Sequence, residues 1–167
     1  AHSGQGLVRN YGDENSTSDY TMLERYGLLF DEADKELPYN FRRRSYIPDL
    51  VVIFLGTNDF STKPWPSFEQ FSEGYAELVE QVRAAHGEQV PILCVSSYVF
   101  DPTFDYVWRI ANGDENLHFA CILPEAFARP SELGASEHPN RVGQQKMAMT
   151  LIPYVSTITG WQVRSDM

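Results

Sequence analysis

Apolar residues run without interruption from Val51 to Leu55 and then give way at once to Gly56-Thr57-Asn58-Asp59. Five apolar residues with no polar alternation predict a central parallel strand over residues 50–55, buried on both faces. A helical period follows. Ser67 with Gln70 three residues later makes a capping box, and Phe68, Phe71, Tyr75, Leu78, Val79 and Val82 then recur at helical spacing up to Gly87. Residues 90–95, opened by Pro91, predict a second buried strand. Residues 103–111 predict a short helix with Phe104, Val107 and Trp108 on one side, and residues 117–123 a third strand. A last helix runs from near Asn140 to about residue 159 and stops at Gly160. By contrast, residues 1–45 are rich in Gly, Asn, Asp, Ser and Tyr without a sustained period, so they read as a long loop with some helix around residues 20–26. Alternating strands and helices imply an α/β fold whose parallel sheet has right-handed crossovers and helical cover. In such sheets ligands bind at the carboxyl ends of the strands.

Composition narrows the classes. At 167 residues, with no internal repeat and no linker, residues 1–167 form one domain able to bury roughly 70% of its unfolded surface. The formal charge of −10, from 13 basic and 23 acidic side chains, opposes binding to nucleic acid or an anionic membrane. The cluster Arg42-Arg43-Arg44 reads as a solvated loop. Cys94 and Cys121 lie in apolar segments and read as buried free thiols, with a disulfide as the alternative. No apolar run approaches the ~20 residues of a membrane span and no signal peptide is present, although a chain starting at Ala1 without methionine leaves a cleaved leader open. No cofactor or metal is expected. His138 lacks spaced Cys, His or Asp partners for zinc, and no Gly-rich phosphate loop follows residues 51–55, which argues against a nucleotide or flavin binder.

Three short segments hold the candidate chemistry: Ser3-Gly4-Gln5-Gly6, Gly56-Thr57-Asn58-Asp59 and Glu137-His138-Pro139-Asn140. An Asn58 amide just past a buried strand suits a developing oxyanion, and Gly56 would let a substrate approach the backbone. The alternative is an asparagine that closes its own turn. Gly4 and Gly6 form a small-residue turn whose backbone N–H can face a ligand, or simply a tight turn. His138, in a polar loop and followed by Pro139 and an N-cap at Asn140, suits a general base, the alternative being a capping or surface histidine. His86 ends a helix and His118 lies in a strand, which gives both structural readings, while His2 is terminal and uninformative.

Taken together, SGQGLVRNYG, PDLVVIFLGTNDF and GASEHPNRVGQQKMA resemble the SGNH (GDSL) hydrolase superfamily, and within it the acetyl-xylan-esterase-type carbohydrate esterases of family two. The resemblance implies a flavodoxin-like three-layer α/β/α sandwich with a parallel sheet. It implies acyl transfer through a serine ester, with Gly4 N–H and the Asn58 amide in the oxyanion hole and His138 as the base. The substrate would be an acetylated oligosaccharide or polysaccharide, and the location secreted or periplasmic.

Two departures qualify this. The family's Gly-Asp-Ser nucleophile block is absent: Gly12-Asp13 leads to Glu14, and Gly113-Asp114 to Glu115. The first strand and its helix are therefore expected to be missing, with the serine on an N-terminal segment or a companion chain, and the sheet left with an open apolar edge. Ser3, Ser61 and Ser136 are poor substitutes. The alternative is a nucleophile-less carbohydrate-binding relative or an inactive fragment. Secondly, Ala135 occupies the position three before the histidine where an aspartate usually stands, so a backbone carbonyl is left to orient His138, and Glu137 replaces a common aromatic. Trp65, Tyr98 and Trp108 could line a sugar groove, and only Trp65 reads as a loop tip. Asp59 reads as structural, bonding loop amides behind Asn58.

Overall fold

In the computed structural model, residues 3–28, 47–97 and 101–163 are described. Three parallel strands, β1 (Val51–Ile53), β2 (Ile92–Ser97) and β3 (Leu117–Ile122), lie in the order β1-β2-β3. Val51 to Ile53 pair with Ile92 to Cys94, and Ile92 to Ser97 with Leu117 to Ile122. Five α-helices join and cover them: α1 (Met22–Arg25), α2 (Thr57–Ser61), α3 (Phe68–His86), α4 (Asp101–Ala111) and α5 (Arg141–Thr159). Short 3-10 turns at Pro124–Ala126, Pro130–Glu132 and Ala135–Glu137 connect β3 to α5.

Strand alternation splits the core into two layers. Ile53, Ile92, Cys94 and Leu117 face one side, where Phe71, Tyr75, Leu78, Val79 and Val82 of α3 and Val107 and Ala111 of α4 pack on them. Leu93, Val95, Ala120 and Ile122 face the other, against Met147, Leu151, Val155 and Ile158 of α5. A three-layer α/β/α arrangement results. α3 begins where its capping box operates, with Ser67 Oγ accepting Gln70 N and Gln70 Oε1 accepting Ser67 N. It stops at Gly87, at φ 109°. α5 starts at Asn140, whose side chain accepts from Val142 N and Gly143 N, and ends at Gly160 in the left-handed region.

Several expectations need correcting. β1 is three residues long, shorter than the strand expected over residues 50–55, and it forms an edge of the described sheet, in keeping with the open apolar edge expected from a missing first strand. Val51 and Ile53 reach the α3 layer, but Val52 is 46% and Phe54 38% exposed. Parity turns Val52 toward the α5 side, and α5 packs on β3 instead. β2 starts after Pro91, which lacks the N–H a ladder needs, and extends to Ser97. Trp108 is exposed while Val107 is fully buried, so the packed face of α4 does not include the tryptophan. Cys94 is a buried free thiol, whereas Cys121 is half-buried rather than buried. His2, Tyr98 and Arg42-Arg43-Arg44 lie outside the described residues. No described helix is long and apolar enough to cross a membrane.

Candidate active site at the carboxyl edge of the sheet

After β1 the chain enters α2 through Gly56, at φ 118°, a left-handed conformation that favours glycine. A Cβ there would lie 2.6 Å from Thr103 Cγ2. The space beside Gly56 thus belongs to α4, which corrects the expectation that this glycine opens the backbone to substrate. α2 presents Asn58 and Asp59 in succession. Asp59 is fully buried, and its carboxylate accepts three consecutive backbone N–H groups: Leu7 to Oδ2 at 3.0 Å, Val8 to Oδ1 at 2.8 Å and Arg9 to Oδ1 at 3.0 Å. Burial pushes its carboxyl above the ordinary range, and these amides pull it back. Asp59 therefore fastens the N-terminal loop to the end of β1.

Asn58 completes the attachment, its Nδ2 donating to Gln5 O at 2.7 Å and retaining a second amide hydrogen. Gly4 is next in the chain, at φ 79°, and its carbonyl accepts Tyr11 N at 2.9 Å. Among the described residues no acceptor takes the Gly4 N–H. Gly6 is required sterically, since a Cβ would sit 1.8 Å from Arg9 O and 2.8 Å from Asp59 Oδ2. Gly6→Ala is expected to destabilise the fold by about 3 kcal/mol through overpacking. In a chain of this size that is a fall of roughly 6–12 °C in Tm. An unchanged melting curve by circular dichroism would contradict this loop packing.

His138 follows the 3-10 turn Ala135–Glu137, in which Ser136 (φ 51°) and Glu137 (φ 60°) both have positive φ. Two such residues cost roughly 1 kcal/mol or more each, so the surrounding bonds must hold the turn. Gly134 N donates to His138 O at 2.7 Å and His138 N to Ala135 O at 3.1 Å, while Leu133 and Pro139 form an antiparallel bridge. Asn140 Nδ2 donates to Ser131 O and Leu133 O, and Asn140 N to Glu132 O. Glu132 is itself buried and pairs with Lys146 of α5, which holds its carboxyl below the ordinary value. The imidazole is exposed, with Nδ1 3.3 Å from Ala135 O. A carbonyl only accepts, so a hydrogen bond here has Nδ1 as its donor, the tautomer in which the Nε2 lone pair is left open.

Gly4 and Asn58 are thus brought together through Gln5. His138 stands on a separate loop after β3, and no described hydrogen bond joins it to them. Parallel pairing places the ends of β1 and β3 on the same edge of the sheet. Two neighbouring residues are not singled out by the sequence. Tyr11, 60% exposed, lies beside Gly4, with its Cβ 3.8 Å from where a Gly4 side chain would begin. Arg9 is fully buried. Its place inside the segment SGQGLVRNYG was the available signal, but nothing local reveals its burial. Trp65 is 42% exposed, with Lys63 Nζ 5.0 Å from its ring centroid.

No family model matches the chain. Among curated proteins it is similar to the cellulase/esterase CelE of Acetivibrio thermocellus, with 30% identity over 173 aligned positions, 96% of this chain and 20% of CelE. An acetylxylan esterase / glucomannan deacetylase of Cellvibrio japonicus is 26% identical, over 96% of this chain and 45% of that protein. Among solved structures, an active-site mutant of a family two carbohydrate esterase from Clostridium thermocellum superposes with a TM-score of 0.81 at 27% identity, over 96% of this chain and 49% of that one. A family two carbohydrate esterase from the same organism, in complex with cellohexaose, gives 0.79 at 26% identity, over 95% and 49%. The chain therefore spans between a fifth and a half of the length of these relatives. Over nearly all of its own length, in sequence and in fold, this chain resembles the family two carbohydrate esterases.

Proposed function

We propose that this chain supplies the oxyanion hole and the general base of a serine esterase that removes acetyl or other short acyl groups from carbohydrate. The observation that supports the reading is the Asn58–Gln5 bond, which ties the Asn58 amide, just past the carboxyl end of β1, to the carbonyl of the residue after Gly4. A serine Oγ attacks the ester carbonyl as His138 Nε2 takes its proton. The tetrahedral oxyanion receives N–H donors from Gly4 and Asn58. His138 then protonates the departing sugar oxygen, and water releases the acyl group by the same steps in reverse order. The Ala135 carbonyl does the orienting work that an acidic residue does in a triad, so the pair is a Ser–His dyad.

The nucleophile belongs, in this reading, to a segment outside these residues. Ser61 Oγ is engaged with Asn58 O at 2.9 Å, and Ser136 sits in the strained turn before the base. The exposed Val52 on β1 and Phe54 just after it suit an additional strand and helix, as does an open groove of about 390 Å³ on α5 lined by Leu151, Ile152, Val155, Trp161 and Val163. Exposed Tyr11 and Trp65 offer faces for sugar stacking. The names of the relatives support an acetylated polysaccharide as substrate, and with it a secreted or periplasmic enzyme.

Acetate release from acetylated xylan tests the reading, comparing the full-length protein with the isolated 167 residues. Release by the first and none by the second is expected. Release by the isolated chain would place the serine within it. No release by either, together with retention on acetylated xylan, would replace the esterase reading with that of a carbohydrate-binding relative.

A further inference from the structure

Arg9 takes no part in the chemistry above, yet its guanidinium is fully buried. Among the described residues all its side-chain partners are neutral. Nε donates to Asn15 O at 2.7 Å, Nη1 to Thr62 O at 2.8 Å and Thr62 Oγ1 at 3.0 Å, and Nη2 to Asp13 O. Longer contacts reach Lys63 O at 3.4 Å and Asp59 O at 3.5 Å. Thr62 Oγ1 also accepts Gly12 N at 3.2 Å. The Asp59 carboxylate accepts from the backbone N–H groups of Leu7, Val8 and Arg9, not from the Arg9 guanidinium.

An ionised group removed from water without a counter-charge costs several kcal/mol, and an apolar residue of similar volume is the usual cheaper filler. What the guanidinium provides is a rigid planar fork of five N–H donors, which can bridge several carbonyls at once. Here the fork joins two surface segments that share no secondary structure. One is residues 10–15, which include Tyr11; the other is Thr62 and Lys63, which lead into Trp65. The backbone of the same residue is fixed by Asp59 next to Asn58. One residue therefore ties the Tyr11 and Trp65 segments to the loop that carries Gly4.

Building on the esterase reading, we propose that Arg9 is a positioning residue that sets sugar recognition: its side chain holds the Tyr11 and Trp65 segments in register with Gly4 and Asn58. Its side chain is not needed for acyl chemistry, because the loop carrying Gly4 hangs on Asp59 through backbone N–H groups. Lysine does not replace it, since a single ammonium cannot span the same carbonyls.

The test uses the full-length protein with Arg9→Met and Arg9→Lys, assayed on 4-nitrophenyl acetate and on an acetylated xylo-oligosaccharide. The expected result is a rise of about tenfold in KM for the oligosaccharide, larger for Met than for Lys, with kcat on the small ester within about twofold of wild type. An equal loss on both substrates, or no change on either, overturns the proposal. Thr62→Val, which removes the hydroxyl shared by Nη1 and Gly12 N, should move KM the same way to a smaller extent, and serves if the Arg9 variants do not fold. Should the wild type hydrolyse neither ester, the functional reading fails while the positioning role stays testable. Amide exchange at Gly12 and Asp13 must then accelerate in Thr62→Val with α3 unaffected, and unchanged exchange there overturns it.

Discussion

If the proposed esterase reading holds, Asn58→Ala in the full-length protein is expected to lower kcat by about 10²–10³-fold, the usual consequence of losing one oxyanion donor. KM should change little, because the ground-state carbonyl gains far less from that donor than the tetrahedral oxyanion does. The substitution also removes the bond to Gln5 O, which holds the Gly4 loop at 2.7 Å from Asn58 Nδ2. Asn58→Asp separates size from donation: it preserves the volume, removes both amide hydrogens and sets a negative charge against the Gln5 carbonyl and the developing oxyanion. Its kcat should be at least as low as that of the alanine variant. Steady-state kinetics on an acetyl ester decide the matter, and a kcat within threefold of wild type for both variants would remove Asn58 from the oxyanion hole.

The second large effect is expected at His138. His138→Ala should reduce kcat by about 10²–10⁴-fold, the span that a positioned general base contributes. The folded state should be nearly unaffected, since the imidazole is exposed and its described hydrogen bond is the one to Ala135 O. Activity loss without a change in thermal melting is therefore the diagnostic pair. A variant that stays active at neutral pH would show that some other group takes the serine proton. Conversely, a large drop in Tm would mean that the histidine holds its own turn together and that the lost activity is secondary. The backbone bonds from Gly134 N to His138 O and from Asn140 N to Glu132 O survive the substitution, which is why the loop should keep its shape.

Elements whose causes are local were legible in the sequence. α3 could be placed because Ser67 and Gln70 cap it and its apolar residues repeat at helical spacing, all within one stretch of chain. The same holds for α5 between Asn140 and Gly160, and for β3, whose predicted end differs from the observed one by a single residue. The parallel α/β order followed from the alternation of such elements. The segments around Gly4, Asn58 and His138 could be singled out because small, amide and imidazole groups at strand ends are unusual in a sheet core. The role of Asp59 as an acceptor for loop amides was also readable, although its partners Leu7, Val8 and Arg9 were not.

Features set by residues far apart in the chain were beyond reach. An apolar run such as residues 51–55 looks the same whether its strand lies centrally or at an edge, because the run records the chain's tendency and not what packs on it. An open apolar edge was expected from the missing first strand, but the tertiary structure puts it at β1, where Val52 and Phe54 are exposed. Gly56 is glycine because of Thr103, 47 positions on, and Arg9 is buried because Asn15 and Thr62 curl around it. The tautomer of His138 depends on one carbonyl, that of Ala135, and backbone carbonyls carry no sequence signature. By itself, then, the sequence determined which helices and strands form and which side chains have chemistry to offer. The tertiary structure decided which of them are buried, which backbone groups they bond and how the loops are held, because those depend on distances between parts of the chain that local order does not encode.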